Sequence, residues 1–406
     1  MRFVCAGMNK LVVVLIAAVV VAGGVGVYFA TSHNNSNGTD SSGEKVTDAV
    51  GREVTVPDNL DKGIVTVGSI GPLRLLSLFP AASKLVECDD GDVKDAINGR
   101  AYSYAWDYAN KAGLKTHADN ALSDKVTEDI GTLAPSLVIV GQNVYTSNPD
   151  NVDLLGKRCS VIVIHEQIMT TMTDANNKLD ANLKFNIELI GKMVGDSARA
   201  TEVINGIETI LADIQNNKGT SDQYVYVAGM TYKGTNNLQT TFPTYMPLKM
   251  IGGNNAYLLS SSADKVTLNP EDFGDSSKVH VDLIMIDPSA AKMMSASQDF
   301  LEYFATHTKD MYVGIPIIFD SINYDCVLAC CYYLEHLLYG KFTDEELNTN
   351  INNVFKTFYG DERGATVFSK MTAFFEANSE SYGVEMPLLQ QVKITGTTGH
   401  YIIEAA

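Results

Sequence analysis

A short run of β-branched and other apolar residues that breaks into glycine recurs along this chain, and it restricts the fold more than any other feature. Gly63-Ile64-Val65-Thr66-Val67 runs into Gly68-Ser69-Ile70-Gly71-Pro72, and a helix is expected from Leu73. Leu137-Val138-Ile139-Val140 leads into Gly141-Gln142-Asn143, and Val161-Ile162-Val163-Ile164 follows. A near-continuous apolar strand suits a sheet covered by helices on both faces, because neither face meets water. Strand, glycine loop, helix is the repeating unit of a parallel α/β sheet. The pattern returns in Tyr224-Val225-Tyr226-Val227-Ala228-Gly229, in Leu283-Ile284-Met285-Ile286 and in Met311-Tyr312-Val313. Two sets of strands predict an α/β protein with two Rossmann-like lobes.

Between the sets, Leu179, Leu183, Ile187, Ile190 and Val194 recur at the spacing of a helical apolar stripe. The stripe predicts one long helix from Thr173 to about Val194 that joins the lobes, with more helix over Ala198–Gln215. The expected organisation is therefore a membrane anchor or signal segment over 1–31, a flexible polar tether over 32–45, an N-terminal lobe over 46–170, a linking helix over 171–195 and a C-terminal lobe over 196–406.

The anchor is read from the uninterrupted apolar run Leu11–Ala30, preceded by Arg2 and Lys10. At about 1.5 Å per residue the run matches a bilayer core of about 30 Å. A positive flank holds the N-terminus inside, which puts the rest of the chain on the extracytoplasmic side of the cell membrane. The net charge of −18 disfavours nucleic acid as a partner. Three of the six cysteines, Cys326, Cys330 and Cys331, fall in CVLACCYYLEHLL, whose leucines and valine mark them as core residues rather than metal ligands. The chain carries no GxSxG elbow and no P-loop, so catalysis is not expected.

Asp48-Ala49-Val50-Gly51-Arg52-Glu53-Val54-Thr55-Val56-Pro57 reads as a β-hairpin turning at the glycine. Two further segments echo one another. Val126-Thr127-Glu128-Asp129-Ile130-Gly131 leads into the strand at Leu137, and Asn269-Pro270-Glu271-Asp272-Phe273-Gly274 leads into the strand at Leu283. Each reads as an acidic helix start, where a carboxylate favours the dipole. The order of these pieces resembles the periplasmic binding proteins for ferric siderophores and vitamin B12. The hairpin fits a DxxGRxVxVP pattern of that family, and Pro135-Ser136-Leu137-Val138-Ile139 follows Glu128 as a PDLVI strand does, with Ser136 in place of the aspartate. The stretch Met386–Ala406 has no counterpart.

The resemblance implies two lobes joined by a rigid helix, with a ligand between them and one glutamate per lobe, Glu128 and Glu271, meeting an ABC permease that works with an ATPase. The ligand it implies is a small metal chelate (a ferric siderophore, a corrinoid or haem), with no cofactor of the protein's own. In open α/β sheets, ligands sit beyond the C-terminal ends of the strands. That rule selects Ser69, Tyr102, Tyr104, Trp106, Gln142, Asn143 and Tyr145 in the first lobe. In the second it selects Tyr232, Lys233, Phe242, Tyr245, Phe319, Asn323 and Tyr324. Their aromatic character suits a large chelate, and Lys233, Arg74 and Arg100 are the nearest cations for an anionic one. Two other readings are an anchored chelate or haem receptor without transport and an α/β surface enzyme; a neighbouring permease and ATPase gene pair would favour transport.

Overall fold

The computed structural model describes residues 43–68, 71–93, 100–118, 122–166, 172–174, 176–230, 237–261, 263–307, 310–319 and 321–406. The apolar run 11–30 and residues 32–42 of the tether lie outside the described residues. Among the described residues, no helix is long and apolar enough to cross a membrane.

The chain enters through the expected hairpin, strand β1 (Lys45–Thr47) against β2 (Glu53–Thr55), with Val46 opposite Val54. The motif residues explain the turn. The Asp48 carboxylate accepts the N–H groups of Val50 and Arg52, and Gly51 takes a φ of 83°. Arg52 closes the loop on Asp48 at 2.7 Å.

Lobe one alternates strand and helix: β3 (Ile64–Val67), α1 (Pro72–Leu76), β4 (Leu85–Asp89), α2 (Ala101–Trp106), β5 (Lys115–His117), α3 (Asp124–Leu133), β6 (Leu137–Gly141), α4 (Gln142–Ser147), α5 (Pro149–Gly156) and β7 (Ser160–Ile164). The sheet is parallel, in the order β5-β4-β3-β6-β7. Because strand side chains alternate between faces, Val65, Val67, Val138, Val140, Val161 and Val163 bury one face among Ile130, Val144, Val152 and Leu155 of α3, α4 and α5. Ile64, Leu137, Ile139, Ile162 and Ile164 bury the other in a larger core with Leu73 and Leu76 of α1.

The linking region departs from the sequence pattern. Its helix, α6 (Ala181–Met193), starts at an Asp180 cap rather than at Thr173. Upstream, Thr173 bridges to Leu179, and the Asp174 carboxylate accepts the N–H groups of Asn176 and Lys178. Short polar side chains of this kind bond their own backbone and compete with helix. The apolar stripe is real, but its first residue, Leu179, lies before the helix. Helix α7 (Ser197–Asn217) then folds back on α6 after Gly195, so the lobes are joined by a helix pair. Gly191 makes the close packing possible, since a Cβ there would stand 2.6 Å from that of Ala200.

Lobe two comprises β8 (Tyr224–Ala228), β9 (Thr240–Thr241), α8 (Met246–Ile251), β10 (Asn254–Asn255), β11 (Val266–Thr267), β12 (Leu283–Ile286), α9 (Ala291–Met294), α10 (Gln298–Thr306), β13 (Asp310–Val313), β14 (Ile318–Phe319), β15 (Ser321–Ile322), α11 (Tyr324–Tyr339), α12 (Asp344–Tyr359), α13 (Asp361–Tyr382), β16 (Gln391–Thr397) and β17 (His400–Ala405). Its main sheet runs β10-β8-β12-β13-β16-β17. The first four strands are parallel, and β16 and β17 add an antiparallel hairpin at one edge. The outer edge of β17 is closed by side chains. Gln298 bonds both the N–H and the C=O of Tyr401, at 2.7 and 3.0 Å, and the Glu385 carboxylate takes the N–H of Ala405 at 2.8 Å.

Candidate ligand site between the lobes

The C-terminal ends of the lobe-one strands open toward α1 and α2, and lobe two closes over them. Arg74 on α1 is buried at 4% exposure and donates to Asn323 Oδ1 at 3.1 Å. That hydrogen bond spans the two lobes. The Arg74 guanidinium also lies 5.7 Å from the centre of the Tyr102 ring. Tyr102 is itself buried and donates to Asp92 Oδ1 at 2.8 Å. Burial, reinforced by the Asp92 charge, pushes the Tyr102 hydroxyl well above its ordinary pKa, so it stays a donor. Arg100 is buried beside this group.

Helix α2 carries three predicted ligand residues, Tyr102, Tyr104 and Trp106. Tyr102 and Tyr104 are two positions apart, so they leave the helix on different sides. Both are nonetheless buried, because α2 is held between lobe one and α13. Tyr104 meets Phe374 of α13 edge-on at 6.1 Å, and its carbonyl accepts from Lys370 at 3.1 Å. Trp106 stacks on Tyr108 and donates through Nε1 to the carbonyl of Ser77 at 2.8 Å. Arg363 of α13 lies 4.0 Å over the Trp106 ring, a cation–π contact between the lobes. A cavity of about 310 Å³ opens along this seam, lined by Asp92, Ser103, Tyr104, Asp107, Lys370 and Phe374. Among the described residues the Ser103 and Tyr104 hydroxyls have no hydrogen-bond partner.

Lobe two supplies Asn323 and Tyr324 at the start of α11, both buried. The adjacent Asp325 accepts from Tyr359 at 2.6 Å. Burial raises the Asp325 carboxyl, opposed by the Tyr359 hydrogen bond and by Arg74.

Other expected ligand residues are placed elsewhere. Phe242 and Tyr245 are core residues of lobe two, with the Tyr245 hydroxyl 3.2 Å from Cys330 Sγ. Tyr145 packs under Arg52 at 5.4 Å, on the α3–α5 side of the first sheet. Gln142 is half-buried and Asn143 exposed, both in the first turn of α4. Phe319 lies in β14, paired with Ser321. Ser69, Tyr232 and Lys233 lie outside the described residues. Asp92, Asp325, Tyr359, Arg363 and Lys370 were not found from the sequence. Asp92 sits in an unremarkable acidic run, and the other four are brought in by long-range packing.

Glu128 and Glu271 are both exposed. Glu271 opens a short 3-10 turn, 270–274, whose Asn269 and Asp272 form a capping box. Glu128 differs from the expectation, because it lies in the middle of α3, where Asp124 is the acidic residue of the first turn. The helix dipole therefore accounts for Glu271 and not for Glu128. Their topological positions match, since β6 lies beside β3 as β12 lies beside β8. Cys326, Cys330 and Cys331 are buried free thiols in α11, and burial pushes Cys330 up to about 12.

No protein-family model matches the chain, and no curated protein does. Solved structures do. A periplasmic solute-binding protein from Veillonella parvula aligns at TM-score 0.55 and 15% identity, over 78% of this chain and 92% of its own. The molybdate periplasmic binding protein of a Haemophilus influenzae ABC transporter, bound to molybdate, aligns at 0.55 and 15%, over 78% and 98%. A TroA-like periplasmic binding protein, FepB, from Veillonella parvula aligns at 0.55 and 17%, over 78% and 96%. The chain has the two-lobed α/β fold of periplasmic solute-binding proteins, and at these identities the likeness is one of fold.

Proposed function

We propose that this protein is the extracytoplasmic substrate-binding component of an ABC importer and that it carries a metal chelate between its lobes. The observation that carries the reading is the buried Arg74–Asn323 hydrogen bond across an aromatic seam. A cation and an amide meeting at the strand ends are groups that a polar ligand can take over when the lobes part. Arg74 and Arg100 favour a chelate with acidic groups, for which a guanidinium offers charge-assisted donors. Tyr102, Tyr104, Trp106 and Tyr324 supply rings for its apolar surface. At about 310 Å³ the cavity along α2 is at the lower end of small-molecule sites. A siderophore, corrinoid or haem therefore needs α13 to move off α2. The fold supports binding rather than turnover, and the apolar run Leu11–Ala30 would hold the domain on the outer face of the membrane. Glu128 and Glu271 are the proposed contacts with the permease.

Native mass spectrometry with absorption titration tests this on a panel of ferric siderophores, corrinoids and haem. One chelate is expected to bind one-to-one, and Arg74→Ala is expected to weaken an acidic chelate about tenfold or more. Binding of none of the panel would overturn the chelate assignment.

A further inference from the structure

Four charged side chains are buried where the lobes meet, Arg74, Arg100 and Asp92 from lobe one and Asp325 from lobe two, none more than 4% exposed. Arg74, Arg100 and Asp92 all act on the Tyr102 hydroxyl, which donates to Asp92 Oδ1 at 2.8 Å. Arg74 and Asp325 act together on the Tyr359 hydroxyl, which donates to Asp325 Oδ2 at 2.6 Å. Arg74 thus stands between the two groups, and its hydrogen bond to Asn323 ends two residues before Asp325. Two buried cations face two buried acids, so their charges balance when both acids are ionised. A buried charge without an opposite partner is costly, and an ionisable group changes its protonation state rather than bear that cost. An acidic chelate that takes over Arg74 upsets the balance, since it adds negative charge and removes the cation nearest Asp325.

Resting on the chelate-carrier reading, we infer that an acidic chelate enters the seam together with a proton from solvent, and that Asp325 is the group that receives it. In the free protein, burial raises the Asp325 carboxyl, opposed by the Tyr359 hydrogen bond, the Cys326 N–H and the Arg74 charge. A chelate carboxylate on the Arg74 guanidinium neutralises the last of these and brings a second anion close, and both changes favour the protonated acid. The neutral carboxyl also becomes a donor, so it no longer repels the anion beside it. The other ionisable groups around Asp325 do not compete for the proton. Burial, reinforced by the Asp325 charge, pushes up the Tyr359 hydroxyl of α12 and the Cys326 thiol of α11, so both keep their own protons. Asp287, at the end of β12, also acts on Cys326, but its carboxylate accepts the Ile317 and Ser289 N–H groups within lobe two. Asp92 keeps Arg100 and the Tyr102 hydroxyl beside it.

Titration calorimetry of the full chain in detergent tests this, with haem and ferric citrate as acidic probes and cyanocobalamin, which has no carboxylate, as the control. Phosphate and Tris differ in the heat of giving up a proton, so the difference in binding heat between the two buffers counts the protons taken up. About one proton is expected per acidic chelate, with affinity rising about tenfold for each pH unit lowered through the neutral range. Asp325→Asn is neutral from the start and should bind with no proton taken up and a flatter pH profile, whereas Asp287→Asn retains both effects. If Asp325→Asn fails to fold, Tyr359→Phe serves in its place. Loss of the hydrogen bond that favours the anion leaves Asp325 protonated before the chelate arrives, so the proton count falls below that of the parent. An acidic probe that binds without proton uptake, or with uptake that Asp325→Asn leaves intact, overturns this inference and leaves the carrier reading standing. Binding of cyanocobalamin alone does the same. Binding of no probe, and of none of the wider chelate panel, overturns both.

Discussion

The two sheets meet the same hazard at their outer strands and remove it differently. An edge strand presents unpaired N–H and C=O groups that invite another strand. In lobe one β7 is one of the two edge strands, the other being β5, and the N-terminal hairpin covers β7 without joining the sheet. Asp48 accepts the N–H of Val163 at 3.0 Å, Ala49 donates to the carbonyl of Val163, and Arg52 donates to that of Val161. In lobe two the C-terminal hairpin joins the sheet outright and moves the edge outward to β17, where Gln298 and Glu385 close it. One lobe blocks its edge with a buried ion pair, the other with an added hairpin and two surface side chains. The first device concentrates its energy in one residue; the second spreads it.

That contrast can be broken most sharply at Asp48. Its buried carboxylate holds three backbone N–H groups and Arg52. Asp48→Ala is expected to destabilise the protein by about 3–5 kcal/mol, the usual cost of removing one partner of a buried charged network. Urea unfolding measures it, and a loss under about 1 kcal/mol would show that the hairpin does not secure β7.

The next effect sharpens the comparison through pH. Asp287, at the end of β12, is buried, and burial pushes its carboxyl up to about 7 against the pull of the Ile317 and Ser289 N–H groups. The folded state then holds a proton that the unfolded state releases. Stability is therefore expected to fall as pH rises from about 4 to 7, by a few kcal/mol in all, and to be insensitive to this group above that window. In lobe one, His117 behaves oppositely in charge and alike in direction. Burial lowers its pKa, but the Glu87 hydrogen bond and the Asp89 charge outweigh burial and raise it. Its contribution is complete below the ordinary histidine pKa and is lost as pH climbs through the raised value. Unfolding measured from pH 4 to 8 should show both declines, with Asp287→Asn removing the lower and His117→Gln the upper.

The smallest expected change is at the second edge. Gln298→Ala removes two hydrogen bonds from Tyr401, at a cost of about 1–2 kcal/mol. It should speed amide exchange at Tyr401 while leaving Val163 protected. Equal exchange at both sites would mean that the two edges are not independent.

The parts of this fold that could be read in the sequence are those fixed by local chemistry. Ile64–Val67, Leu137–Val140 and Val161–Ile164 are strands because their β-branched runs suit a sheet buried on both faces. The first hairpin was legible because Asp48, Gly51 and Arg52 form its turn within five residues. Helix α6 was drawn too long because leucine spacing says nothing of Asp174, whose side chain bonds the backbone ahead of the helix. The β16–β17 hairpin was missed because its strands alternate weakly and β16 pairs with β13, about eighty residues back. In the seam, the aromatics of 102–106 were visible as a cluster. Their partners Arg363 and Lys370 were not, since no local pattern ties α13 to α2.

The chain contains one tryptophan, and it lies in that seam beneath the Arg363 guanidinium. Its indole is therefore a built-in optical gauge. If the lobes part, a cation leaves the ring and water reaches it, and the emission maximum is then expected to move to longer wavelength with no label attached.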